Sequence, residues 1–256
     1  MSEAASPLRD DWNRHWQEYS RTAEENPAQK YRRELIFSLL GLSGSGAAAR
    51  ILDIGSGQGD MAAALLSRFP SAQVLGLELS QSGVEISRRK VPRARFVQRD
   101  LLEQSEVPAE LRGWATHAVC SEVIEHVDGP GRLLANARAY MAPGGLLVLT
   151  APGGPMSAFD KHIGHRKHWL PSEIATVLGQ AGYEPIRSTG AGFPFFNLYR
   201  SVVILRGRKL IDDVRSSPEG TTSLSARIVM AVFQKLIRKG LNSSYRGWQM
   251  IATARS

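Results

Sequence analysis

From residue 50 onward, short apolar runs alternate with amphipathic stretches, and this alternation leaves few folds open. Residues 50–54, 73–78, 94–98, 116–121, 146–151, 184–189 and 247–253 have the length and composition of strands. Residues 58–69, 81–90, 130–141 and 171–182 have helical spacing, the last opened by Pro171 and closed by Gly182. Such alternation builds βαβ units and therefore a mainly parallel, doubly wound α/β sheet. A sheet of this kind takes its ligand beyond the carboxyl ends of its strands, where the strand order reverses. The first strand ends in "ILDIGSGQGD", with Gly55, Gly57 and Gly59 packed behind Asp53. Glycines so dense after a strand mean that bare backbone must come close to a ligand.

At 256 residues, the chain has room for one sizeable domain with additions. The first 48 residues read as helical, through "DDWNRHWQEYS" and "YRRELIFSLLGL", and are expected to form a lid carrying Trp12, Trp16, Tyr19 and Tyr31. The core is then 49–191 with 245–256, interrupted by 192–244. That interruption holds "AGFPFFNLYRSVVILRGRKL", a polar link "RSSPEGTTS" and a helical stretch "LSARIVMAVFQKLIRKG". Between 192 and 245 there are nine Lys and Arg against three acidic residues, so +6 of the net +8 is concentrated there. A basic, apolar insertion suits a hydrophobic or anionic partner and gives a surface for peripheral membrane contact. "FPFFNLYRSVVIL" is too short to span a bilayer, and the N-terminus lacks the apolar core of a signal peptide, so a cytoplasmic setting is expected. The lone Cys120 excludes an internal disulfide and reads as a small buried hydrophobe.

The glycine pattern is G-x-G-x-G, not the G-x-G-x-x-G of a dinucleotide site, and Asp60 occupies the first turn of the next helix. A carboxylate there competes with a pyrophosphate for the positive helix end, which speaks against a nicotinamide-dependent oxidoreductase. A ligand with a positive centre and no phosphate suits this loop better. Further acidic residues follow at later strand ends: Glu78 closes "VLGLELS" and Asp100 closes "ARFVQRDLLE". "AVCSEVIEHV" and "LLANARAYMAPGGLLVLTAP" complete the series.

Together these stretches resemble the class I S-adenosylmethionine-dependent methyltransferases over about residues 30–190, most closely the small-molecule, ubiquinone-biosynthesis-like type. The resemblance implies a Rossmann-like seven-stranded sheet, mainly parallel with an antiparallel last strand. It implies that Glu78 accepts hydrogen bonds from both ribose hydroxyls, which a charged carboxylate matches well. Asp100 would bind the adenine amino group beside Leu101. Asp53, Gly55, Ser56, Gly57, Leu79 and Ser121 would complete the cofactor site, and Arg32 or Arg33 would reach the methionine carboxylate.

Methyl transfer from a sulfonium needs in-line approach, exclusion of water and often removal of a proton from the acceptor. "APGGPMSAFDKHIGHRKHWLP" places His162, His165 and His168 beside Asp160 just past the fifth strand, so His162 and His165 are candidate general bases. Glu122, Glu125, His126 and His165 also resemble the metal cluster of RNA 3′-terminal 2′-O-methyltransferases, which would imply Mg²⁺. RNA as the acceptor is not expected, because aromatic residues do not interleave with the basic ones. A small-molecule acceptor, methylated on oxygen, is the expectation. A non-catalytic S-adenosylmethionine-binding or membrane-associated module is the reading outside enzymology.

Overall fold

The computed structural model describes residues 26–45, 48–103, 106–216 and 224–256. The expected lid residues Trp12, Trp16 and Tyr19 lie outside these.

Seven strands form one sheet: β1 (Arg50–Ile54), β2 (Gln73–Glu78), β3 (Arg95–Gln98), β4 (Ala115–Ser121), β5 (Met141–Pro152), β6 (Glu184–Ala191) and β7 (Gln249–Arg255). Their spatial order is β3-β2-β1-β4-β5-β7-β6. The pairs among β1 to β5 are parallel, and β7 lies antiparallel between β5 and β6. The expected fold class is therefore observed. Strand order reverses between β1 and β4, so the crevice beyond their carboxyl ends is where a ligand belongs.

Among the described residues, eight α-helices accompany these strands: α1 (Pro27–Leu39), α2 (Asp60–Arg68), α3 (Gln81–Lys90), α4 (Pro130–Arg138), α5 (Ala158–His162), α6 (Pro171–Gln180), α7 (Phe195–Ser216) and α8 (Leu224–Ile237). Local chemistry sets their starts. Ser80 caps α3 by accepting from the Gly83 N–H at 3.1 Å. Ser157 and Asp160 form a reciprocal capping box on α5. Pro171 enters the first turn of α6, and Glu173 accepts from the Leu170 N–H at 2.9 Å.

Both faces of the sheet are covered. Leu52, Leu75, Leu134, Leu149 and Leu178 belong to one buried cluster, and Ile36, Ile51, Leu65, Phe69 and Val148 to another. Each fully buried Leu or Ile contributes about 1.5–3 kcal/mol relative to exposure. A third cluster joins Tyr31 and Leu35 of α1 to Phe196 of α7, Ile237 of α8 and Ile251 of β7. Between β6 and β7, helices α7 and α8 are thus secured to α1 through an apolar seam. Cys120 is fully buried and its thiol is pushed well above its usual value, mainly by burial. It is not a nucleophile.

Candidate functional site

At the end of β1 the chain turns through Gly55, Gly57 and Gly59 with φ of 68°, 53° and 85°, a region that L side chains rarely adopt. Space is as restrictive as conformation: a Cβ on Gly55 would stand 2.6 Å from Val123 Cγ2. The β1 loop and the β4 loop therefore touch at the switch point. The Gly55 and Ser56 N–H groups donate to the Leu77 carbonyl at 2.9 and 3.0 Å, which fixes the turn against β2.

Glu78 ends β2 beside this turn, 5% exposed. Its Oε2 accepts from the Gly57 N–H at 2.8 Å and its Oε1 from the Ser80 N–H at 2.9 Å. Backbone donors thus orient the carboxylate at the edge of the turn. Behind it lie Asp53 Oδ2 and Ser56 Oγ, both buried and neither hydrogen-bonded. Burial, reinforced by the Glu78 charge, raises the Asp53 carboxyl to about 7. Asp100 shapes the adjacent β3 loop, its Oδ1 accepting from the Leu102 N–H at 2.8 Å. Leu101 is buried below it and Leu79 is 36% exposed. Ser121 Oγ accepts from Thr150 Oγ1 at 3.1 Å, at the carboxyl end of β4. Asp53, Gly55, Ser56, Gly57, Glu78, Leu79, Asp100, Leu101 and Ser121 thus lie on four neighbouring strand ends and their loops. Asp60 is not a free opponent of anions, since it pairs with Lys90 and accepts from Gln58.

Past Ser121 the backbone is strained. Glu122 holds φ of +57°, rare for a side chain of this size. Arg32 of α1 grips one of its oxygens at 2.8 Å, and Gln249 Nε2 donates to the other at 3.1 Å. The expected ligand set of Glu122, Glu125, His126 and His165 is therefore not assembled, because the Glu122 carboxylate is engaged by Arg32 and Gln249. The other three offer ligand atoms within 4.8 Å of one another. Two imidazoles and one carboxylate are not the oxygen-rich octahedral set that Mg²⁺ takes, so these residues do not fit that ion.

Glu125 is fully buried with neither oxygen hydrogen-bonded. Burial and then the Glu122 charge push its carboxyl well above the usual carboxylate range. The rings of His126 and His165 meet edge to face, centroids 4.7 Å apart. His165 is also 3.3 Å from His168, Nδ1 to Nε2. Burial lowers His165 to about 4, against the opposing pull of Asp160, so the ring is neutral at physiological pH. His162 lies exposed at the end of α5, so the structure clusters His165 with His126 and His168 instead.

Asp160 anchors this corner. Its Oδ2 accepts from the Ser157 N–H at 2.7 Å, from Ser157 Oγ at 2.8 Å and from Arg200 Nη2 at 2.8 Å. Burial would raise its carboxyl, but the Arg200 hydrogen bond and charge, with the Ser157 donors, hold it below the usual value. Sequence reasoning named Asp160 but missed its partner on α7. It also missed Gln249, whose signal was a polar side chain in the otherwise apolar "WQMIATA".

Comparison with known proteins adds a family. The profile described as "Methyltransferase domain" matches residues 12–188, more than half of the chain. Trans-aconitate 2-methyltransferase of Paracidovorax citrulli is 33% identical over 106 residues, spanning 41% of this chain and 40% of that protein. Phosphoethanolamine N-methyltransferase 2 of Haemonchus contortus, solved with S-adenosyl-L-methionine, has a TM-score of 0.57 at 18% identity. It covers 88% of this chain and 52% of that one. The [4+2]-cyclase SpnF has a TM-score of 0.56 at 18% identity, covering 88% of this chain and 79% of its own. Likeness at this level shows the fold alone, and one of these neighbours is named as a cyclase, so activity has to be argued from the site.

Proposed function

This chain belongs to the methyltransferase-domain family, and from that premise we propose that it transfers a methyl group from S-adenosyl-L-methionine to a small-molecule acceptor. The observation that carries the reading is Glu78. Its carboxylate is held by two backbone N–H groups beside a turn of bare main chain, as two neighbouring hydroxyls require. Asp53 Oδ2 and Ser56 Oγ, buried and unsatisfied, suit the amino-acid end of the cofactor. Calorimetry tests this directly. Replacing Glu78 by Ala removes two charge-assisted hydrogen bonds and should weaken S-adenosyl-L-methionine binding by at least about 100-fold. E78A binding with the wild-type constant overturns the reading.

The acceptor approaches from beyond β4 and β5, where His165 stands. For an oxygen acceptor, the O–CH₃ bond forms as the S–CH₃ bond breaks, and the sulfonium leaves as a neutral thioether. The acceptor proton passes to His165. A base as weak as this one suffices, because the hydroxyl becomes a strong acid once its oxygen carries the methyl group. No step runs through a metal.

The acceptor is hydrophobic or anionic on this reading, with α7 and α8 as its cover. Among the described residues, Leu198, Leu205, Val229, Val232, Leu241 and Tyr245 are exposed large hydrophobics within 198–245, against three elsewhere. Lys235, Arg238 and Lys239 are exposed on the same segment. Exposed apolar side chains among cations match an anionic lipid surface, so the protein docks there at the membrane periphery. Among the described residues, no helix is long and apolar enough to cross a membrane.

A further inference from the structure

Two imidazoles at the acceptor corner, His168 and His165, share a hydrogen, and its place can be worked out from the one partner whose role is certain. His168 Nδ1 lies 2.9 Å from the Gly154 carbonyl oxygen. A carbonyl only accepts, so His168 Nδ1 carries a hydrogen. Gly154 itself cannot move far: it holds φ of +69°, and the Trp248 ring fills the place of its missing side chain, with Cγ 2.5 Å from where a Cβ would be. The carbonyl that sets the pattern is therefore packed into position.

His168 Nε2 faces two groups, His165 Nδ1 at 3.3 Å and Asp160 Oδ2 at 3.7 Å. The Asp160 contact is beyond hydrogen-bond reach, and that oxygen already accepts from Ser157 N–H, Ser157 Oγ and Arg200. Arg200 also supplies the cation that Asp160 needs. A His168 ring with one hydrogen carries it on Nδ1, facing the Gly154 carbonyl, so its Nε2 presents a lone pair. One hydrogen must lie between the two rings, so His165 donates it from Nδ1.

We infer that His168 is a positioning residue that fixes His165 as the Nδ1–H tautomer, leaving Nε2 of His165 as the unprotonated nitrogen that receives the acceptor's proton. The relay Gly154–His168–His165 runs through a carbonyl rather than a carboxylate, since Asp160 Oδ2 bonds Ser157 and Arg200 and stands 3.7 Å from His168 Nε2. The inference rests on the proposed role of His165, and the two can fail separately.

Nitrogen-15 NMR of the full chain at pH 8 reads the tautomer directly, with the His165 signals identified by their loss in H165Q. The wild type should show His165 protonated at Nδ1. H168F removes the acceptor and should move His165 toward the Nε2–H form. H168Q returns an acceptor oxygen to the site and should restore Nδ1–H. On the proposed reaction, H168F should lower kcat by about 10- to 100-fold with the KM for S-adenosyl-L-methionine unchanged, and H168Q should recover much of that loss. A wild-type His165 protonated at Nε2, or a tautomer indifferent to H168F in a protein that still binds S-adenosyl-L-methionine, overturns the inference. If H168F fails to fold, the wild-type and H168Q spectra decide alone: His165 at Nε2–H in either refutes it. A tautomer that moves in H168F without loss of kcat sustains the inference and refutes His165 as the base.

Discussion

Asp53 illustrates how one buried side chain prepares a site at the expense of stability. It is 2% exposed, one oxygen has no partner, and the Glu78 carboxylate adds repulsion, which together place its folded value at about 7 against an ordinary 3.8. Below about pH 4 it is neutral both folded and unfolded and exerts no penalty. As pH rises toward 7, the unfolded chain ionises Asp53 freely while the fold resists, so stability falls across that window and levels above it. Thermal melts of the ligand-free protein should therefore decline more steeply between pH 4 and 7 in the wild type than in D53N. Parallel slopes would show that Asp53 is not held neutral. A cationic cofactor favours the ionised form, so its binding near pH 7 should release a proton, visible as a buffer-dependent enthalpy. The same residue shows what a sequence reveals: that Asp53 precedes the glycines is legible, but its protonation is a product of burial by β2 and β4.

At the scale of elements, α7 is tied to the acceptor corner by the Arg200–Asp160 ion pair. Arg200, 15% exposed, reaches Asp160, 2% exposed, across the α5–α7 contact. Removing Arg200 strands a buried carboxylate, so R200A should cost about 2–4 kcal/mol in urea unfolding. A D160N/R200A double variant should cost less than the sum of the singles. Additive costs would mean that the pair does not couple the two helices. None of this was readable in advance, because Arg200 sits in "FPFFNLYRSVVIL", where charge counting marks it only as one basic residue among nine. Local patterning served better elsewhere. β1 and β2 lie where their apolar runs place them, since both are buried on two faces and bounded by turn residues. α2 begins at Asp60 rather than at 58, because Gly57 and Gly59 have positive φ and cannot join the helix. β7 begins at Gln249 rather than at 247: a Cβ on Gly247 would be 2.3 Å from the Ala191 carbonyl oxygen, a packing constraint between distant segments. α7 escaped the sequence because its apolar positions are too continuous to show a stripe. The histidine cluster was legible in its members, for the loop announces His165 and His168 and "EVIEH" supplies His126, but not in its contacts, which depend on how two distant loops meet.

At the scale of the whole molecule, most of the net charge and, among the described residues, most of the exposed large hydrophobics fall in one segment, and this co-location makes the orientation of the protein testable. A net +8 spread evenly would favour solubility and little else. Here +6 falls within 192–245, whose helices α7 and α8 are secured to α1 by Tyr31, Phe196 and Ile237 and to the acceptor corner by Arg200. An anionic bilayer approached from that side meets Leu205, 86% exposed, and the exposed Lys235 and Lys239. Each Lys near such a surface contributes about 1 kcal/mol, and an inserted Leu adds about 1.5–3 kcal/mol. Vesicles containing phosphatidylglycerol should therefore co-float with the protein while phosphatidylcholine vesicles do not, and added salt should release it. K235Q/K239Q should weaken the partition about 30-fold, and L205E should weaken it further without altering S-adenosyl-L-methionine binding at Glu78. Equal affinity for both vesicle types would make the basic segment a solvated surface. An acceptor embedded in that bilayer would then have to reach His165 by another side of the molecule.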